Sequence, residues 1–238
     1  MPRQPAPRPI LALETATTCG SVALVESGKV LAEYSLDIPT THSRRVFNQV
    51  ETVMKDVGAA WSDLAGVAIS LGPGSFTGLR IGLSLAKGLV LAHNLPFLGV
   101  STLDGLARQV VCLPTTKVCA LLDARKQEVY AALYECGVNG LPVRTGEDLV
   151  LPPEKLAEKL SGPILLVGDG ALTYREVFSD KLGASALFTP ASSHFPRAAT
   201  IGILAEEKLT LNILLDPVDS VPIYVRPSEA EINLRKKA

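Results

Sequence analysis

Two widely separated segments of the chain begin in the same way, and that duplication restricts the fold more than any other feature. ILALETATTCGSVALVESGKVLAEYSL, starting at Ile10, gives three strand-like runs separated by TATTCG and ESGK. KVCALLDARKQEVYAALYE, starting at Lys117, is again an apolar strand, a short polar turn and an alternating strand. Alternation and turn residues at this spacing argue for hairpins, which would then be followed by helices and buried strands. After the first hairpin, Val46, Phe47, Val50, Val53, Met54 and Val57 fall at helical spacing with Gly58 as a stop. LAGVAISL reads as a buried strand, and the pattern predicts a helix over 77–92, a short strand at FLGV and a helix from about Thr102. After the second hairpin, PEKLAEKL and PRAATIGILAEEKL read as helices and PILLVGDGA as a buried strand. The expected organisation is two related α/β lobes: a flexible leader over 1–9, an N-terminal lobe over 10–112 and a C-terminal lobe over 113–238. The tail VPIYVRPSEAEINLRKKA is expected to cross back or lie on the surface, with a mobile end.

The chain has 238 residues, 47% of them hydrophobic and 20% charged, with a net charge of −1, so it lacks the basic excess needed to grip a polyanion alone. An RNA-related role would need a partner. Cys19, Cys112, Cys119 and Cys136 show neither C-x-x-C spacing nor the density of a disulfide scaffold, so four reduced thiols in a cytoplasmic protein are expected. The start MPRQPAPRPI puts prolines where a signal peptide needs an apolar core. Lys87, His93 and Pro96 interrupt the longest apolar stretch, which argues against membrane association.

The segment ISLGPGSFTGLRIGLSLAKGL, 69–89, runs from a strand through a glycine-rich turn into a helix, the setting in which helix amides can bind an anion. A phosphate-binding P-loop needs Lys and Ser or Thr after its last glycine, where this chain has Leu79 and Arg80. The dinucleotide fingerprint misses its third glycine by one, since Thr77 precedes Gly78, and neither Ser75 nor Ser84 sits in a nucleophile elbow. Gly72 and Gly74 suit a tight turn with Ser75 or Thr77 as the helix cap. Gly78, Gly82 and Ala86 recur every fourth residue. Each interior glycine costs a helix about 1 kcal/mol, so the stripe calls for a close contact, either with another protein or with the chain's own sheet.

His42 has no second ligand one turn on, where Arg45 and Val46 stand, and His93 and His194 lie far away in sequence. No metal site is expected. Glu14 and Asp123 close the opening strands of the two lobes, as candidate nucleotide-facing acids across a cleft or as plain surface charges. GDG at 168–170 is likewise a nucleotide-facing turn or an ordinary loop.

ILALETATTCGSVALVESG, THSRRV and above all GPGSFTGLRIGLSLAKGL, in this order, resemble the TsaB family, also called YeaZ. The resemblance implies a two-lobed α/β fold of the actin, sugar-kinase and Hsp70 type (ASKHA), with duplicated mixed-sheet lobes. It also implies a role in making threonylcarbamoyladenosine beside the anticodon of tRNAs that read codons starting with A. In that family the chemistry belongs to a related catalytic subunit, TsaD, with TsaB as its non-catalytic partner and TsaE as an ATPase joining the complex. TsaD's pair of histidines corresponds here to His42 and Val46, and the acidic positions of its first turn to Thr18 and Cys19. No cofactor of its own is implied, although the interface with the partner can hold ATP or ADP; tRNA would be reached through the complex, and relatives without the partner can pair with themselves. The implied partner face combines Arg44, Phe47 and Val50 of the first helix with Phe76, Gly78, Leu79, Arg80, Gly82, Leu83 and Ala86 of the next. The rival expectations are an active ATP-dependent transferase or small-molecule kinase using Glu14 and Asp123, and a metalloprotease.

Overall fold

The computed structural model describes residues 7–37 and 42–226, with the side chains of 42–45 excluded. Three strands open the chain, β1 (Ile10–Glu14), β2 (Cys19–Glu26) and β3 (Lys29–Asp37). Helix α1 (His42–Val57), strand β4 (Gly66–Gly72), helix α2 (Phe76–His93), strand β5 (Phe97–Ser101) and helix α3 (Thr102–Ala107) follow. The second half repeats the order with β6 (Lys117–Arg125), β7 (Glu128–Cys136), β8 (Pro142–Arg144), β9 (Leu149–Leu151), α4 (Pro153–Lys159) and β10 (Ile164–Val167). It ends with α5 (Asp169–Thr173), α6 (Arg175–Leu182), β11 (Ala186–Phe188) and α7 (Ala198–Thr210).

The duplication is visible in the sheets. The first has the order β3-β2-β1-β4-β5, and the second runs β11-β10-β6-β7-β8 with β9 also on β7. In each, a central strand pairs antiparallel with its hairpin neighbour and parallel with the strand that returns after a helix. The three-residue strands β8, β9 and β11 were not legible in the sequence, being too short to alternate visibly.

Burial follows the strand period. Leu11, Leu13, Val22 and Leu24 face α1 and α2, whereas Ile10, Ala12, Ala23 and Val25 face the other side. Each fully buried aliphatic side chain contributes about 1.5–3 kcal/mol, which fixes the register of β1 against β2. The helix on that other side is α7: Ala198, Ala199, Ile201 and Ala205 pack on the first sheet, and Gly202 admits Val25, whose Cγ2 lies 2.7 Å from where a side chain would start. Reciprocally, Leu103, Leu106 and Ala107 of α3 complete the core of the second sheet with Val118, Ala120 and Leu122. Each sheet therefore takes one helix from across the expected boundary, and the division at 112/113 is corrected accordingly. The two exchanged helices meet at Gly105, where an added Cβ would stand 2.5 Å from Ile201 Cδ1.

Three other expectations change. The described end of the leader is fixed, because Ala65 N donates to Pro9 O at 2.8 Å and Arg8 Nε donates to Asp63 O at 3.2 Å; residues 1–6 lie outside the described ones. The tail makes no strand, but it crosses back over the first lobe, where Ile223 N donates to Leu71 O at 2.8 Å; its end, 227–238, is outside the described residues. Cys112 and Cys136 are joined as a disulfide rather than held as thiols, because the segment after α3 pairs with the end of β7: Cys112 N donates to Gly140 O at 3.2 Å and Thr115 N to Cys136 O at 2.9 Å. Cys119 remains a thiol, pushed up to about 12 by burial. Among the described residues no helix is long and apolar enough to cross a membrane.

Candidate functional site

Helix α2 is the element on which the site is built. It starts at Ser75, whose hydroxyl accepts a hydrogen bond from Gly78 N at 3.3 Å, and stops at Asn94, left-handed at φ 51°. The preceding turn approaches the β1–β2 turn closely: Ser75 N donates to Ala16 O at 2.7 Å, and a Cβ on Gly74 would sit 2.6 Å from that of Ala16. Gly72, at φ 118°, turns the chain out of β4 in a conformation that L side chains rarely adopt.

The glycine stripe packs inside this lobe. A side chain at Gly78 would collide with the Thr15 carbonyl oxygen, and one at Gly82 with the Thr15 hydroxyl. That hydroxyl donates to Gly78 O at 2.9 Å, so Thr15 bonds directly to helix backbone that larger residues would cover. Leu79, Leu83 and Ala86 are buried, as is Val50 of α1. Gly78, Leu79, Gly82, Leu83, Ala86 and Val50 are thus corrected as partner contacts, because they are already covered within the monomer. The side chain of Arg44, like that of His42, lies outside the described residues.

What remains outward is a different stripe on the same helix. Phe47 and Phe76 are exposed, at 44% and 40%. Arg80, Ile81, Ser84 and Leu85 line a shallow groove together with Phe47. Arg80 holds its guanidinium 3.8 Å from the Phe76 ring centroid. One turn beyond Ser84 is Gly88, exposed, with nothing within 4 Å of an added Cβ. Ser84 and Gly88 have the same four-residue spacing that drew attention to the buried stripe. The signal was present in the sequence on both faces, and only the lean of the helix on β1 and β4 decides which one is internal.

The interlobe cleft, of about 370 Å³, is the second candidate site. Its walls are Thr17 and Thr18 of the β1–β2 turn, the start of α2, and Asp123, Arg125, Asp169 and Arg226. Asp123 therefore faces the cleft as expected, but Glu14 does not. Glu14 is fully buried behind the turn, with one carboxylate oxygen accepting from Ala16 N at 2.5 Å and the other without a hydrogen-bond partner. Burial pushes its pKa up to about 7, against the smaller opposing effect of the hydrogen bond from the Ala16 amide and of the neighbouring polar groups of Ser70 and Thr15. The expectation of opposed acids is corrected on that point: the apolar β1 strand carries Glu14 into the core, where its charged form is disfavoured.

Asp123 and Asp169 are occupied with holding their own loops. Asp123 accepts from Arg125 N at 2.9 Å and from the Arg125 guanidinium at 3.1 Å, while Asp169 accepts from Asp123 N at 3.0 Å. Burial raises the Asp169 pKa to about 6, the Asp123 carboxylate adding to the rise and the Asp123 amide opposing it. The GDG turn is supported from behind by the buried His194, whose Nδ1 lies 3.1 Å from Gly168 N and 2.9 Å from Gly168 O. Among the described residues no group of three or more His, Cys, Asp or Glu side chains is arranged to hold a metal ion.

The geometry matches known proteins closely. Residues 37–234 match the family model described as TsaD: tRNA N6-adenosine threonylcarbamoyltransferase. The tRNA threonylcarbamoyladenosine biosynthesis protein TsaB of Bacillus subtilis is 32% identical over 93% of this chain and 96% of its own length. Its namesake in Escherichia coli is 41% identical over 68% of this chain and 71% of its own. YeaZ from Pseudomonas aeruginosa superposes with a TM-score of 0.78 at 30% identity, over 92% of this chain and all of that one. Two lobes with duplicated mixed sheets are the ASKHA architecture, and with relatives and family model spanning most of its length, the chain belongs to the TsaB (YeaZ) family.

Proposed function

We propose that this chain acts in tRNA threonylcarbamoyladenosine biosynthesis as the non-catalytic partner of a TsaD-like catalytic subunit. In this reading it docks through the outward side of α1 and α2, in a complex that a TsaE-like ATPase joins and that carries the tRNA. The names of its relatives support the pathway. One observation carries the docking face: the outward stripe of α2 runs from Ser84, in the groove with exposed Phe47 and half-buried Ile81 and Leu85, to the unencumbered Gly88 one turn on. An interior glycine that nothing in the monomer requires is a cost of about 1 kcal/mol, offset if a partner helix comes close to the backbone there. Arg80, placed over Phe76 among apolar neighbours, suits a carboxylate on that partner.

The cleft supports the non-catalytic half of the reading. Glu14 is buried away from the cleft that Asp123 lines, so the opposed pair of acids that an active transferase would use is not assembled. No nucleotide step is assigned to this chain; ATP or ADP would belong to the composite site made with the partner.

Reconstitution of tRNA modification from purified subunits, with and without this chain, tests the reading together with the mass of the complex. Native chain restores modification and pairs with the TsaD-like subunit, whereas Gly88→Leu remains folded and does neither. Modification by the isolated chain, lost in Glu14→Ala, would overturn it in favour of an active transferase.

A further inference from the structure

After α7 the chain turns back over the first lobe and ends its described course against the second. Leu215 N donates to Phe97 O at 2.8 Å, Lys87 Nζ to Val218 O at 3.2 Å, and Ile223 N to Leu71 O at 2.8 Å. Tyr224 then packs on Phe76 with ring centroids 5.2 Å apart and accepts a hydrogen bond from Arg80 Nε at 2.9 Å. Two residues further on, the Arg226 guanidinium donates to Glu128 Oε2 of β7 at 2.8 Å and lines the cleft. This segment is thus anchored on β4 and α2 of one lobe and on β7 of the other. Among the described residues, other contacts between the lobes include Gly105 with Ile201, Arg108 at the end of α3 with Glu207 of α7 at 2.5 Å, and Arg144 of β8 with the Ser101 hydroxyl at 3.1 Å, all formed by residues that do not line the cleft.

We propose that residues 211–226 form a strap that ties the two lobes across the cleft through Arg226 and Glu128, and that Tyr224 couples this tie to whatever docks at Phe76 and Arg80. The ion pair is suited to release. Its side chains are 23% and 31% exposed, half-buried at the edge of the cleft, so water can reach both partners when the pair opens. The coupling is geometric. Phe76 lines the cleft and Arg80 the groove, and Tyr224 touches both, so fixing Arg80 from outside fixes the residue that aims Arg226. The coupling half rests on the docking face proposed above, whereas the tie does not.

The test uses the full chain, spin-labelled at exposed Glu51 of α1 and Asp180 of α6, with hydrogen exchange followed at the Ile223 amide. Arg226→Gln and Glu128→Gln should each speed that exchange about five-fold, as expected for loss of a half-buried pair, and broaden the interlobe distance distribution about two-fold. The charge-reversed pair, Arg226→Glu with Glu128→Arg, should restore both. A distance distribution unchanged in the single variants would overturn the tie, even if the Ile223 amide exchanged faster. Adding the TsaD-like subunit should narrow the distribution in the native chain and not in Tyr224→Ala; equal narrowing in both would overturn the coupling. If that subunit binds neither, the docking face has failed and the coupling with it, while the result for the isolated chain still decides the tie.

Discussion

Gly82 and Gly88 lie on the same helix, yet the missing side chain does opposite work at the two positions. At Gly82 the gap is filled from inside: the Thr15 hydroxyl and Ile69 of the neighbouring strands occupy the space a side chain would need. At Gly88 the gap is open, with nothing within 4 Å. The difference teaches that a small-residue stripe marks a close approach without saying from which side. Only the accounting of neighbours separates a glycine required by the fold from one that the fold merely tolerates.

Substituting leucine at each position should break the symmetry between them. Gly82→Leu forces four carbons into Thr15 and Ile69, against a β1–β2 turn that is itself bonded to the helix. A loss of at least about 3 kcal/mol in urea unfolding is expected, so the variant fails to pair only because it fails to fold. Gly88→Leu should leave the unfolding midpoint no lower, while weakening pairing with a TsaD-like subunit about 100-fold in a titration by light scattering or calorimetry. Equal destabilisation by both leucines would mean that the two faces have been wrongly told apart.

A third substitution sharpens the internal side of the comparison. Glu14 precedes the threonine that fills the Gly82 gap, and its pKa is raised from 4.5 to about 7 by burial. The native state then binds the proton more tightly than the unfolded chain, so stability falls as pH rises through the interval from 4.5 to 7 and stays reduced above it. Glu14→Gln removes that charge while keeping an oxygen for Ala16 N. It should stabilise the protein by about 2 kcal/mol at pH 8, with the gain fading towards pH 5, as read from denaturation at a series of pH values. A gain that did not depend on pH would show that Glu14 is not ionising in place.

Much of this architecture was legible because its signals are local. The apolar runs of Ile10–Glu14 and Cys19–Glu26, the helical spacing of Val46, Val50 and Val53, and the cap at Ser75 each lie within one element. The features that sequence reasoning missed are relations between elements. The apolar face of α7 is the same whichever sheet it covers, so nothing in AATIGILAEEKLT says that it packs on β1 and β2 rather than on its own lobe. Glu14 looks like a strand-end charge until α7 is placed over that face of the sheet. Tyr224 and Arg226 sit in a tail whose composition reads as surface, and their roles come from meeting Arg80 and Glu128, over a hundred residues away for the first pair and almost as far for the second. The resemblance to a family pointed to α1 and α2 for the proposed docking face; it did not point to a side of the helix.

The smallest expected effect is also the cleanest separation of the two glycines. Alanine at position 88 adds one methyl where the structure leaves free space, in the interior of an 18-residue helix and without change of backbone. Since glycine costs a helix about 0.8–1 kcal/mol relative to alanine, Gly88→Ala should stabilise the isolated chain by nearly that amount, a rise of roughly 2–4 °C in melting temperature. At Gly82 the same methyl meets the Thr15 hydroxyl and should lower stability. Opposite signs for one identical substitution, six residues apart on one helix, would show that the fold gains nothing from the glycine at 88. What keeps it must then act when the chain is not alone, and a helix approaching across Ser84 is the contact that a methyl there would push away.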